Sequence, residues 1–245
     1  MRIGLIADIH GNCIALDTVL AALERERVNE LICLGDVAAL GPQPGEVIAR
    51  LRELGCPVVM GNTDAWLLAS SPVTGADAID RTMTPWCVAQ LTDEDRAYVG
   101  AFPAVIKRSL GAGRTLLCFH GSPRSFDDKI IAATPDNDLD AMFSGYNAAI
   151  LTGGHTHIAM MRRYRDYQII NPGSVGLPGI GSVRPYNRDV HWAEYAVLDV
   201  DDDQTRIAFH RIALDVEKMI AAAYASGMPE PAWWASLWQR GYVTR

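Results

Sequence analysis

Short apolar blocks recur along the first sixty positions, and their spacing changes from block to block. Residues 2–7, without a charge from Ile3 to Ala7, predict a buried strand. Asn12 is a good helix cap, and Leu16, Val19, Leu20 and Leu23 then recur at helical spacing, predicting an amphipathic helix over 13–26. Residues 30–34 predict a second strand. Pro44 opens a helix carrying Val47, Ile48, Leu51 and Leu54, which Gly55 and Pro57 close. Residues 57–60 predict a third strand. Strand, helix, strand, helix, strand at this spacing means βαβ units and a parallel sheet.

The pattern then changes. Between 63 and 103, apolar helical pieces alternate with the breakers Pro72, Gly75, Pro85 and Pro103, and Thr92-x-x-Asp95 reads as a capping box. This stretch is too short for a core of its own and predicts a helical cover inserted in one domain spanning 1–245. Strand-like runs at 104–110 and 114–119 flank Gly111-Ala112-Gly113, a hairpin signal. A short helix at 136–143 precedes the strand ending at Leu151. A second hairpin covers 158–164 and 167–170. The glycine-rich 173–182 cannot be regular structure. Strands at 193–200 and 205–212 bracket the acidic turn 201–203, and helices near 215–225 and 230–240 finish the chain. Trp233, Trp234 and Trp238 share nearly one face of the last helix, which suits a core position or a contact between two copies.

Composition narrows the setting. A formal net charge of −7 gives no basic surface for duplex nucleic acid. No run is long enough to span a membrane. Five scattered cysteines without a C-x-x-C point to reduced thiols and a cytoplasmic location.

The chemistry gathers at predicted strand ends. Asp8-Ile9-His10 follows the first strand, Gly35-Asp36 the second and Gly61-Asn62-Thr63-Asp64 the third. His120 ends a later strand, and Gly153-Gly154-His155-Thr156-His157 another. In open α/β sheets the ligand site lies beyond the strands' carboxyl ends, so these groups meet at one edge. Mixed carboxylate, imidazole and amide donors suit Mn, Fe or Zn. Alone, each is ordinary loop chemistry; together and in this order they describe a site for two divalent ions.

Asp-x-His, Gly-Asp, Gly-Asn-x-Asp, His-Gly and Gly-His-x-His, in that order, resemble the calcineurin-like metallophosphoesterases. The small bacterial and archaeal phosphodiesterase branch is the most similar, with its Asp-x-His-Gly-Asn start and Asn-Pro-Gly-Ser after the last motif. The resemblance covers Met1 to about Asp199. It implies a four-layer αββα sandwich and two divalent metal ions, Mn first and Fe or Zn as alternatives. It implies that Asp8, His10 and His157 hold one ion, that Asn62, His120 and His155 hold the other, and that Asp36 bridges them. Its reaction would be attack of a metal-bound hydroxide on a small phosphate ester or nucleotide, with Asp36, Asn62 and His120 in the catalytic set. A phosphodiesterase fits first. A phosphomonoesterase, a dinucleoside polyphosphate hydrolase or a non-catalytic scaffold on the same fold are the alternatives.

The chain departs from the family at Thr63, where the common residue is histidine, and at Ala39, where it is glycine. A threonine hydroxyl can hydrogen-bond a phosphoryl oxygen but cannot protonate a leaving group as imidazolium does. Asn12, Thr63, Arg184, Arg188 and His191 are the remaining candidates for substrate contact, with His191 the one further histidine near the glycine-rich loop. Asp64 suits either a helix cap or a support beneath the ligands.

Overall fold

The computed structural model describes residues 1–69, 78–178, 191–201 and 204–238. The opening units form as their spacing predicts: β1 (Arg2–Ile6), α1 (Cys13–Arg25), β2 (Glu30–Cys33) and α2 (Pro44–Leu54). Asn12 Oδ1 accepts the Ala15 N–H at 3.1 Å, which caps α1. Gly55, at φ +59°, closes α2 in the left-handed conformation that glycine adopts without a Cβ clash.

The third predicted strand does not form. Residues 57–60 are extended but join the sheet through a single bridge, Cys33 to Val58. Cys33 N–H donates to Pro57 O and Val59 N–H donates to Cys33 O. Pairing stops there because Pro57 has no N–H and Met60 N–H turns away to Pro103 O. The cover then folds as α3 (Asn62–Leu68), α4 (Ala78–Ala89) and α5 (Asp93–Gly100). Its apolar side, including Leu67, Met83 and Val99, packs into the same core as α1 and α2.

The second half supplies β3 (Ile106–Gly111), β4 (Arg114–Cys118), α6 (Asp136–Met142), β5 (Ile150–Thr152), β6 (Met160–Tyr164), β7 (Tyr167–Asn171), β8 (Trp192–Val200) and β9 (Thr205–Ala213). The strands make two sheets, ordered β2-β1-β8-β9 and β3-β4-β5-β7-β6. β1 pairs parallel to β2, with Leu5 opposite Ile32, and antiparallel to β8, with Leu5 opposite Ala196. β4, β5 and β7 run parallel to one another.

Alternation along each strand sorts side chains into layers. Ile3, Leu5 and Leu198 of the first sheet meet Leu116, Ile150 and Ile170 of the second. Ile6 and Val197 face the helices on one outer side, and Leu117, Leu151 and Ile169 pack against Leu139 and Met142 of α6 on the other. The result is the αββα sandwich. Among the described residues, no helix is long and apolar enough to cross a membrane.

The last described elements are α7 (Val216–Ala225) and α8 (Pro231–Ser236); the end of the span predicted for the last helix, 239–240, lies outside the described residues. Two of the three tryptophans turn inward. Trp234 and Trp238 are 0% and 1% exposed and lie in the same apolar cluster as Met219 and Ala223 of α7. Trp234 and Trp238 are therefore core, and Trp233 is half-buried against the same cluster.

Candidate metal centre

The strand ends converge as the topology requires. Asp8 and His10 follow β1, Asp36 follows β2, His120 follows β4, and His155 and His157 follow β5. Asn62 is the first residue of α3. The loops after β1 and β2 zip together beyond their strands. Asp8 N–H donates to Gly35 O, His10 N–H to Asp36 O and Gly11 N–H to Val37 O, all near 3 Å. Five of the nine described non-glycine residues with positive φ are site residues: Asp8, His10, Asp36, His155 and His157, at 47–66°. The backbone curls so that consecutive polar side chains aim at one point. Space is tight enough that a Cβ on Gly61 would lie 2.1 Å from Asp36 Oδ1.

Ligand atoms of Asp8, His10 and His157 lie within 4.8 Å of one another, and so do those of Asp36, His120 and His155. All six residues are buried. Backbone carbonyls orient three of the rings. Nδ1 of His10 faces Ala39 O at 3.3 Å, that of His120 faces Leu34 O at 2.7 Å, and that of His157 faces Leu177 O at 2.9 Å. Each Nδ1 is therefore the donor, and the Nε2 of each neutral ring carries a lone pair.

Those lone pairs face other acceptors. His10 Nε2 and His157 Nε2 are 3.0 Å apart. His120 Nε2 lies 3.1 Å from Asn62 Oδ1 and 3.3 Å from Asp36 Oδ2. His155 Nδ1 is 3.0 Å from the same Asn62 oxygen. Asp36 Oδ2, 3.6 Å from His10 Nε2, stands between the two groups. Converging acceptors with no donor between them repel, unless cations or protons intervene. The donor set therefore fits divalent metal ions.

Protons show the same demand for positive charge. Burial pulls the His120 imidazolium down, but the charges of Asp36 and Asp8 outweigh it and hold the ring up to about 10. Burial opposes ionisation of Asp36, yet His120, His10 and His155 hold its carboxyl well below the usual range. His157 is raised, against burial, by Asp8. His10 and His155 are pushed down to about 4, mainly by burial and by neighbouring imidazoles.

The supporting residues are as ordered as the acceptors. Asp64, fully buried, is both cap and support. Its carboxylate accepts the N–H groups of Gly61 at 3.0 Å and of Asp36 and Val37 at 2.8 Å. Asn171 Nδ2 donates to Gly154 O and Thr156 Oγ1, and Ser174 Oγ donates to Asp8 O at 2.8 Å. Nothing in the sequence signals the carbonyls of Leu34, Ala39 and Leu177 that set the ring orientations.

Of the substrate candidates, Thr63 reaches the site. Its N–H donates to Asp36 Oδ1 at 2.9 Å, and its buried hydroxyl has no partner among the described residues. Asn12 does not reach it. It is 1% exposed, with Oδ1 capping α1 and Nδ2 donating to Gly176 O at 3.2 Å, so both polar ends are used within the fold. His191 precedes β8 and has a buried Nε2, and no hydrogen bond or ion pair among the described residues joins it to the cluster. Arg184 and Arg188 lie outside the described residues.

Residues 1–203 match the family model of the calcineurin-like phosphoesterase superfamily domain. An uncharacterised protein of Methanocaldococcus jannaschii is 26% identical over 243 residues, 93% of this chain and 94% of that one. The phosphodiesterase YfcE of Escherichia coli K12 is 26% identical over 214 residues, 82% of this chain and 89% of its own. The crystal structure of a metallophosphoesterase from Sphaerobacter thermophilus superposes with a TM-score of 0.75 at 26% identity, covering 98% of both chains. A hypothetical protein from Pyrococcus horikoshii OT3 shares the fold at a TM-score of 0.81 and 20% identity, over 99% of both chains. With its αββα layers and its two groups of side chains that could hold metal ions, the chain belongs to the calcineurin-like phosphoesterase superfamily, metal-dependent hydrolases of phosphate esters.

Proposed function

We propose that the protein is a phosphodiesterase working with two divalent metal ions, Mn first and Fe or Zn as alternatives, on a small phosphate ester or nucleotide. The observation that carries this is the placement of Asp36 Oδ2 between two groups of acceptors, 3.3 Å from His120 and 3.6 Å from His10. Asp8, His10 and His157 would hold one ion, Asn62, His120 and His155 the other, with Asp36 shared. Bound ions of this kind activate a water near neutral pH and offset charge developing on the phosphoryl oxygens.

The chain's own groups do the rest. The carbonyls behind His10, His120 and His157 keep each Nε2 turned inward. Asn62 presents its oxygen to the rings, which leaves its NH2 as a donor to a phosphoryl oxygen. The Thr63 hydroxyl is a second donor, buried and unpaired among the described residues. No imidazole stands where the family commonly has its acid, so esters with good leaving groups suit this site. The phosphodiesterase name of the Escherichia coli relative supports the diester reading. A scaffold role fits less well, because the acceptor set is complete. Five free cysteines support a reducing, cytoplasmic setting.

The test is hydrolysis of bis(p-nitrophenyl) phosphate and p-nitrophenyl phosphate by purified protein loaded with Mn, Fe or Zn. The diester should be the better substrate, and Asp36→Asn should lower turnover by more than about a hundredfold. Full activity in that variant would overturn the mechanism.

A further inference from the structure

α3 starts at the metal centre with Asn62 and runs outward to Leu68. Four residues on from Asn62 is Trp66. At 3.6 residues per turn its side chain projects roughly 40° from that of Asn62 and about 60° from that of Thr63, one turn further out. Helical side chains lean toward the amino terminus, so the indole reaches back over the arc between those two residues. The other side of α3 is committed to the interior, with Asp64 0% and Leu67 2% exposed.

Trp66 is not packed like the other tryptophans. Trp86, Trp233, Trp234 and Trp238 belong to the core cluster of the helical layer, and Trp192 stacks under Arg211 at 4.8 Å. Trp66 is half-buried and belongs to none of the three apolar clusters of the described residues. Beside it the Thr63 hydroxyl is buried without a partner among the described residues. A large flat ring left partly open, one helical turn beyond an unpaired donor of the site, is suited to a ligand with a flat ring of its own.

Building on the reading of the site as a phosphodiesterase, we propose that Trp66 is the specificity-determining residue for the ester's non-reacting arm. It stacks on a planar ring there, so the substrates are esters of nucleosides or of other aromatic alcohols. The ring is held by its face, which every base has, so base identity matters little.

Calorimetry on the Mn-loaded protein tests this without turnover, comparing thymidine 5′-phosphate with methyl phosphate. Wild type should prefer the nucleotide. Trp66→Ala should lose about tenfold of that preference, and Trp66→Phe, which keeps a ring, should hold it to within about threefold. The nucleotide should also quench indole fluorescence in wild type and much less in Trp66→Phe. No ring preference in wild type, or a preference unchanged in Trp66→Ala, overturns the inference. Hydrolysis of bis(p-nitrophenyl) phosphate by wild type and its loss in Asp36→Asn report separately on the phosphodiesterase reading. A protein that hydrolyses the diester without ring preference sinks only the Trp66 role. One that shows the preference but hydrolyses nothing sinks only the activity.

Discussion

Asp64 holds more of the site than any group that would touch a metal. Its carboxylate takes three backbone N–H donors, from Gly61, Asp36 and Val37, and is fully buried. Asp64→Asn keeps one oxygen with two lone pairs, enough for the Gly61 and Asp36 donors that now share Oδ2. Its new NH2 would face the Val37 N–H, donor against donor. One buried donor stranded and one repulsive contact made give a loss of about 2–3 kcal/mol. Asp64→Ala strands all three donors and should lose about 4 kcal/mol or more.

These are large parts of a typical folding stability of roughly 5–15 kcal/mol. For a chain of 245 residues, Asp64→Asn should lower the melting temperature by roughly 5–10 °C. The same carboxylate fixes the backbone of Asp36, whose φ is +56°, so metal affinity should fall by about ten- to a hundredfold as well. Thermal and urea unfolding at pH 7.5, with EDTA and with saturating Mn, separates the two effects, and equilibrium dialysis reads the affinity. An Asp64→Asn protein that unfolds within about 0.5 kcal/mol of wild type in EDTA would refute the three-donor account.

Thr63→His should restore an acid beside the centre and raise turnover of alkyl esters by roughly a hundredfold, with p-nitrophenyl esters little changed; equal effects on both would count against a leaving-group role. Metal removal should leave the protein folded, because ion pairs such as His120–Asp36 at 3.3 Å and His157–Asp8 at 3.4 Å stand in for the cations. Loading at pH 7 should then release about one to two protons, since His120 and His157 both have raised pKa values in the metal-free site, and apparent affinity should strengthen as pH rises; calorimetry in buffers of different ionisation enthalpy measures this. Asp95 caps α5 through Thr92 and pairs with Arg52 at 3.0 Å, and those bonds outweigh burial to hold its carboxyl below the usual range. Its contribution is present above the unfolded pKa of about 3.9 and is lost as pH falls through the lower folded value. Asp95→Asn should therefore cost about 1 kcal/mol at neutral pH and progressively less in acid, read by urea midpoints across pH.

Most of the layered fold is legible because it rests on local alternation. The helix over 13–26, the hairpins on either side of Gly111 and Arg165, and the two long strands near the end differ from their predicted bounds by a residue or two. The failures share a cause, which is that they depend on what lies opposite. Residues 57–60 carry strand composition, but pairing depends on Pro57 lacking a donor and on Pro103 being near enough to take the Met60 N–H. The tryptophan stripe is visible in the sequence, but only the position of α7 shows that Trp234 and Trp238 are covered by the chain itself.

The site divides the same way. Ligand types at strand ends follow from chemistry and order. Strain does not, because φ belongs to the backbone and aspartate and histidine write no sign of it. Five site residues sit at positive φ, each at a cost of about 1–3 kcal/mol. Such a set persists only where its surroundings leave no alternative. Here the zipper from Asp8, His10 and Gly11 to the β2 loop, the Asp64 carboxylate and the Ser174 hydroxyl supply that constraint. The curl it enforces aims Asp8 and His10, two residues apart, into one group, and sends His155 and His157 into two neighbouring groups. The spacing His-x-His is common and uninformative alone; what sends the two imidazoles into separate acceptor groups is the left-handed backbone at both histidines.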